Sequence, residues 1–138
     1  MAYTLNTKTR DTQVDHHSDD CYNSAILEIR TGAAPGPSAA ATGTVLASIT
    51  IPAAAHNASA SGSATKAGTW EDTSADATGT AAHFRIRASG DANGADATVQ
   101  RVEGTVGQGS GDLSLNNTSI AAGQTVTINT WTLTQPAS

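Results

Sequence analysis

The chain has 138 residues, the usual size of a single domain, and only 20 of them are Leu, Ile, Val or Phe. A formal net charge of −5 with only seven Lys and Arg residues argues against nucleic acid as the main partner, because phosphate binding needs clustered cations. No apolar run approaches the roughly 18 residues of a membrane span, and the single cysteine, Cys21, excludes a disulfide framework within the chain.

Residues 1–23 form a polar, charge-rich segment whose apolar residues are too sparse for a strand. We predict either a helical turn or two within residues 7–20 or an extended arm, since Thr, Asp and His are mediocre helix formers. The character of the sequence changes after this segment. We therefore expect an N-terminal arm or short helix at 1–23 and a single β-sandwich domain at 24–138.

The arm contains the stretch Asp15–Cys21 (DHHSDDC), which is the richest in metal-ligand residue types. On a helix, His17 would share a face with Asp20 and Cys21, and this face could hold a transition metal. However, adjacent histidines diverge by about 100° on a helix, and no second half-site follows downstream. We favour a solvated polar arm, and we predict no metal and no cofactor.

The next residues alternate in the manner of strands. Residues 25–30 predict a first short strand, and residues 33–43 predict a loop because they are small and include two prolines. A second strand is predicted at 44–51. The low-complexity sequence that follows contains one large side chain, Trp70, and its loose alternation allows a strand at 63–72 with that tryptophan as its anchor.

Residues 82–88 (AHFRIRA) show the clearest alternation in the sequence. Phe84 and Ile86 would face the core, and the intervening side chains would face solvent as on a half-buried strand. The side chains expected on the solvent face form a cationic stripe, consisting of His83, Arg85 and Arg87.

The cationic stripe allows two interpretations. It could be a contact surface for an acidic partner or a neighbouring subunit, or it could be ordinary exposed charge paired across strands with Glu103 or Asp96. We favour the second interpretation. Trp131, whose position is out of register with its predicted strand, could be an interface anchor or could fill a bulge.

The rest of the chain predicts further short strands at 97–106, 112–115 and 124–134, the last with a bulge at 129–130. About eight strands separated by Gly, Pro and Asn turns are typical of an all-β fold. We therefore predict a jelly-roll-like antiparallel β-sandwich.

The motifs of common enzymes are missing from the sequence. No serine lies in a Gly-x-Ser-x-Gly elbow. The glycine-rich run at 107–111 leads into a predicted strand, so no helix N-terminus is available there to bind a phosphate. We predict that the protein is not an enzyme.

Motifs spread over residues 24–134 resemble, in order, those of small tailed-phage virion proteins of the capsid cement or decoration type. They are ILEIRTG at 26–32 with Pro35 and Pro37, GTVLA at 43–47, FRI at 84–86 with Ser89 and Gly90, EGTVG at 103–107, GDLSL at 111–115, and Ile120 with Gly123, Val126 and Ile128. The resemblance implies a jelly roll on the outside of the shell, acting as a dimer or trimer that bridges neighbouring capsomers. The polar arm at 6–23 departs from the alanine-rich start expected of this family.

From this resemblance we expect a structural protein that binds the major capsid protein on the outer capsid surface of a virion. Since the first residues lack a signal-peptide pattern, we expect it to be made in the host cytoplasm. The small number of large apolar residues suggests that a partner or further copies of the chain help to bury surface. The alternative is a head-fibre or tail module that recognises a host glycan or receptor, but only 4% of the residues are aromatic, which leaves little for a glycan platform.

Overall fold

The computed structural model describes residues 3–137, which form one α-helix and eleven short strands. The helix, α1, is Thr7–Cys21. The strands are β1 (Ile26–Arg30), β2 (Val45–Thr50), β3 (Ser63–Thr65), β4 (Trp70–Asp72), β5 (Gly79–Thr80), β6 (His83–Arg87), β7 (Arg101–Gln108), β8 (Leu113–Leu115), β9 (Ser119–Ile120), β10 (Val126–Ile128) and β11 (Thr132–Thr134). The fold is therefore rich in β-structure, as predicted. Nothing in residues 3–137 is both helical and sufficiently long and apolar to cross a membrane.

The helix is longer than the one or two turns predicted from its residue types. Its first turn is capped by Asn6, whose side chain accepts a hydrogen bond from the Thr9 amide at 2.9 Å. Only Val14 and Ser18 of the helix are buried. A helix with so small an apolar face needs other contacts to hold it on the body.

Polar contacts supply that attachment. Arg10 donates to the Gln135 carbonyl at 3.0 Å and to the Ser61 carbonyl at 2.8 Å, and the Asp11 carboxylate accepts from the Gly62 amide at 2.7 Å. These bonds join the helix to segments that lie about 50 and 125 residues away in sequence. Residue propensity alone could not indicate this stabilisation.

Five strands form the main sheet, in the order β2-β1-β6-β7-β8. The pairs β2-β1, β1-β6 and β6-β7 are antiparallel, but β7 and β8 are parallel, so the prediction of a wholly antiparallel arrangement is wrong at this edge. The other strands form the two-stranded pairs β10-β4, β11-β3 and β5-β9.

Three predicted strands have different limits in the structure. The predicted strand at 63–72 is divided into β3 and β4, which pair with different partners. The predicted strand at 124–134 is likewise divided, into β10 and β11. The strand predicted at 97–106 begins only at Arg101, because Asp96 accepts hydrogen bonds from the amide and hydroxyl of Thr98 and forms a turn there.

The inner face of the main sheet forms the core. Leu27 and Ile29 of β1 lie opposite Ile86 and Phe84 of β6, and all four side chains are buried. Phe84 and Ile86 are therefore the packing anchors that the alternation predicted.

The link between the parallel strands β7 and β8 is unusually short. It comprises residues 109–112, whereas parallel strands normally need a connection of about a dozen residues or more. Gly109 and Gly111 have φ of +68° and +80°, which allow the chain to reverse tightly. A Cβ atom on Gly107 would lie 2.5 Å from Ser110 Oγ and 2.7 Å from the Ser110 carbonyl oxygen, so glycine is required at that position as well.

Replacing Phe84 with alanine should remove the largest contact that β6 makes in the core. We expect Phe84→Ala to lower the free energy of unfolding by about 3–5 kcal/mol, as measured by urea denaturation. The matched control is Val99→Ala at a position that is 37% exposed, where the change should stay within about 0.5 kcal/mol. A loss at Phe84 no larger than that at Val99 would contradict the packing of this strand.

Replacing Gly107 with alanine should force Ser110 away from the tight turn. We expect Gly107→Ala to destabilise the chain by about 1–3 kcal/mol in the same assay. Gly90→Ala is the control, because nothing lies within 4 Å of a Cβ atom placed there; it should be neutral or stabilising by up to about 1 kcal/mol. Equal effects at the two glycines would contradict the close approach at Gly107.

Candidate functional site

The outer face of the central strands carries a buried layer of paired charges. The strand register places Glu28, Arg85 and Glu103 side by side on β1, β6 and β7. The charged side chains that form salt bridges in this layer are each at most 16% exposed. We call this set the charge layer; it consists of Glu28, Arg30, Arg85, Arg87, Asp91, Arg101 and Glu103.

Arg85 lies at the centre of the charge layer and is completely buried. Its Nε and Nη2 atoms donate to Glu103 Oε2 at 2.8 and 2.7 Å, and Nη2 also donates to the Gly36 and Ala39 carbonyls at 3.0 Å each. The guanidinium is thus held by one carboxylate and two carbonyls in place of water.

A loop covers the charge layer. Residues 31–44, between β1 and β2, form this strap. Its Gly36 amide donates to Glu103 Oε1 at 2.7 Å, and Arg30 Nη1 donates to the Thr42 carbonyl at 3.2 Å. Arg101 Nη1 donates to the Pro37 carbonyl at 3.0 Å. Small residues and prolines in the strap let its backbone lie close to the arginines.

Glu28 joins two arginines and an amide. It forms salt bridges of 2.7 Å with Arg30 and 2.8 Å with Arg87, and Asn93 Nδ2 donates to both of its oxygens. Burial acts to raise the pKa of this carboxyl, but the hydrogen bonds and charges of Arg30 and Arg87 outweigh that effect, so the pKa is lowered overall.

Asp91 and Arg101 form a two-point pair at the edge of the layer. Arg101 Nε and Nη2 donate to the two Asp91 oxygens at 2.6 and 2.7 Å. The hydrogen bond from Arg101 is the main reason why the pKa of Asp91 falls to about 2, although burial opposes the shift. Asp91 therefore stays ionised in the folded protein well below neutral pH.

The sequence correctly predicted which side chains of 82–88 share a face, but it was wrong about what that face meets. His83 and Arg85 are 1% and 0% exposed, and the Arg87 side chain is only 16% exposed. The predicted cross-strand pair between Arg85 and Glu103 is present, whereas Arg87 pairs with Glu28. The stripe therefore forms intramolecular contacts, with His83 and Arg85 bound to the strap and Arg87 bound to Glu28 and the Ala88 and Asp91 carbonyls.

His83 is fixed from one side of its ring. Its Nδ1 atom lies 2.7 Å from the Gly32 carbonyl oxygen and must carry the proton, because a carbonyl can only accept. The other ring nitrogen is buried and meets no hydrogen-bonding partner among residues 3–137. His83 thus connects β6 to the turn that begins the strap.

Trp131 packs inward, between β10 and β11. Its ring meets Phe84 edge-on at 5.4 Å between centroids and lies within 6.5 Å of Tyr22 and Trp70. The side chain is half-buried, and its ring packs against other residues of the same chain. This packing agrees with the interpretation that Trp131 fills the gap between two strands.

The polar stretch Asp15–Cys21 lies on the last turns of α1. His16 pairs with Asp20 at 3.0 Å, and Cys21 Sγ lies 3.6 Å from Gln100 Oε1. His17 instead packs edge-on against Tyr22. Within residues 3–137, no three His, Cys, Asp or Glu side chains come together so as to hold a metal ion.

One pair that the sequence did not indicate joins Ser18 to His56. Ser18 Oγ and His56 Nδ1 are 2.7 Å apart, and the His56 ring also packs edge-on against Tyr22 and Trp70. Burial, and secondarily the charge of His17, lower the pKa of His56. The two residues are 38 positions apart, and neither belongs to a recognisable motif. Their hydrogen bond attaches α1 to the loop that follows β2.

Comparisons of this chain with models of protein families, with curated proteins and with solved structures gave no match. The motifs that resemble phage virion proteins fall mainly on β1, β2, β6, β7 and β8. They therefore belong to the main sheet and its charge layer, that is, to the body of the protein.

Removing one member of the Arg85–Glu103 pair should leave an unpaired buried charge. We expect Arg85→Met and Glu103→Met each to destabilise the protein by about 3–5 kcal/mol in urea denaturation, and the double variant to cost clearly less than the sum. Lys8→Met, at an exposed position, should change stability by no more than about 0.5 kcal/mol. Strict additivity of the two single changes would contradict the coupling between these side chains.

The lowered pKa of Asp91 predicts a loss of stability in acid. A carboxyl whose pKa is depressed in the folded state stabilises the fold above its unfolded value near 3.8 and loses that contribution as the pH falls through about 2. Asp91→Asn should therefore be less stable than the wild type at pH 7, and the difference should narrow between pH 4 and pH 2. Glu71→Gln, at an exposed carboxylate outside the layer, should follow the wild type throughout. A constant difference for Asp91→Asn down to pH 2 would contradict the role of the ion pair.

Proposed function

We propose that this chain is a structural virion protein that binds the outside of a phage capsid and bridges neighbouring major capsid protein subunits. The observation that carries the proposal is the ordered series of motifs over 24–134, which coincides largely with the main sheet and its charge layer. In this proposal the chain is not an enzyme, and it acts by binding alone.

The internal construction suits such a role. A cement protein must resist deformation when the shell is under pressure from packaged DNA. The strap is bound to the sheet through buried arginines, and α1 is bound through Arg10 and Asp11. These polar contacts join segments that lie far apart in sequence. Each copy could then contact two or more subunits, and detaching it would require several contacts to break together.

The finer architecture and the assembly are part of the same proposal. We place the mixed five-stranded sheet and the paired short strands in a jelly-roll-like sandwich. A dimer or trimer would supply the two-sided contact that bridging requires. Of the four residues that the sequence offers as possible contacts, His83 and Arg85 are buried, whereas Arg87 and Trp131 keep some exposure. A neighbouring subunit could reach these two side chains.

The alternative, a head-fibre or tail module that binds a glycan or receptor, has less support. An aromatic platform is the usual base for a sugar ring, but Tyr22, Trp70, Phe84 and Trp131 pack against one another. The remaining aromatic residue, Tyr3, is 73% exposed and stands apart from this cluster. One exposed tyrosine is a poor basis for such a platform.

The proposal can be tested by mixing the purified protein with undecorated phage shells and imaging the shells by electron microscopy. We expect density of fixed stoichiometry at the capsomer junctions, and competition between labelled and unlabelled protein for the same sites. Shells that remain bare, with saturable binding to a glycan array, would overturn the proposal in favour of the alternative.

A further inference from the structure

The charges of α1 are ordered against the stability of the helix. Its cations, Lys8 and Arg10, lie near the N-terminus, and Asp19 and Asp20 lie near the C-terminus. A helix dipole favours the opposite order, with acidic residues first and basic residues last. Arg10 is accounted for by its bonds to the body, but Asp20 has no such contact, because its partner is the exposed His16. Residues placed against local stability are candidates for function.

A shallow groove lies beside Asp20. It has a volume of about 400 Å³ and runs between the outward face of α1 and Gln100, which precedes β7. Gln13, His17 and Cys21 contribute to its wall, and the surface that they present is mainly carbon. Asp20 is the carboxylate that lines it. The groove thus has a mainly apolar lining, and the carboxylate of its one acidic residue, Asp20, is paired with His16.

The residues outside the charge layer carry an excess of negative charge. The chain has twelve carboxylates and seven Lys and Arg residues. The layer contains three of the carboxylates and four of the cations, so nine carboxylates and three cations lie outside it. The residues outside the layer therefore have a formal net charge of −6, one unit more negative than the −5 of the whole chain. Such a surface attracts basic partners and repels acidic ones.

We propose that the groove beside α1 is a docking surface for a basic segment of a partner protein. The segment inserts one apolar side chain between α1 and Gln100 and places a lysine or arginine against Asp20, where it displaces His16. Charge complementarity selects the partner, and the apolar side chain supplies the buried contact. The inference rests on the proposed function only for the identity of the partner, which would be the major capsid protein.

The first test needs no shell. The probe is a capped heptapeptide, Gly-Lys-Leu-Lys-Leu-Lys-Gly, and the readout is the rate at which iodoacetamide alkylates Cys21, the single thiol of the chain. We expect the peptide to slow alkylation saturably at low salt. The same peptide with serine in place of leucine should protect at least about fivefold more weakly, and an acidic peptide with Glu in place of Lys should not protect.

Two variants of the same helix separate docking from general charge attraction. Asp20→Lys and Asp15→Lys make the same change in net charge, but five residues place the two positions about 140° apart around the helix, and Asp15 does not line the groove. We expect the apparent Kd to rise at least about tenfold in Asp20→Lys and to stay within about threefold in Asp15→Lys. Each variant is compared with its own alkylation rate without peptide, since Asp20 itself influences the pKa of Cys21. A lysine in the last turn also suits the helix dipole, so Asp20→Lys should fold.

An absence of protection in the wild type, or equal weakening in the two variants, would overturn the docking surface. The same variants applied to undecorated shells separate this inference from the proposed function. Loss of shell binding in Asp20→Lys alone is the expected result. Wild-type binding that both variants retain would overturn the docking surface and leave the capsid role in place. If the wild type itself fails to bind shells, the capsid role is overturned, and the peptide result decides on the docking surface.

Discussion

The rest of the structure depends on the burial of Arg85 at the centre of the main sheet. A charged guanidinium that is withdrawn from water must be paired and hydrogen-bonded, or its desolvation would destabilise the fold by several kcal/mol. In Arg85, Nε and Nη2 meet this need, whereas the buried Nη1 has no hydrogen-bond partner among residues 3–137. Glu103 supplies the opposite charge, and the Gly36 and Ala39 carbonyls supply further acceptors. One side chain therefore fixes the pairing of β6 with β7 and the position of the strap.

The charge layer also explains how a chain with few large apolar residues can bury both faces of a sheet. Its inner face is hydrophobic, with Leu27, Ile29, Phe84 and Ile86 at its centre. On its outer face, arginine stems and paired head groups fill the space that a second hydrophobic layer would occupy. The small number of large apolar residues suggests that a partner or further copies of the chain help to bury surface; on this face of the sheet, polar packing within the chain provides the burial.

The sequence predicted those features that depend on local periodicity. Alternation in 82–88 correctly placed Phe84 and Ile86 on one face and the stripe on the other. Periodicity cannot tell whether a face meets solvent or another part of the chain, however, and the contacts from Arg85 to the strap span 46 and 49 residues. The attachment of α1 is equally distant in sequence. Only its cap, Asn6, is a local signal, and it marks where the helix begins but not how far it extends.

The arrangement of charges links the fold to what the surface can recognise. Four arginines stabilise the interior as members of ion pairs with three carboxylates, and nine carboxylates and three cations lie outside the layer. The same pairs that hold the strap in place thus reduce any attraction to nucleic acid and favour a basic protein surface as partner. In the docking that we propose, a long-range attraction of this kind aligns the partners before contact, and the apolar groove beside α1 sets where they meet. The placement of the arginines therefore stabilises the interior and adds one unit to the excess of negative charge outside the layer.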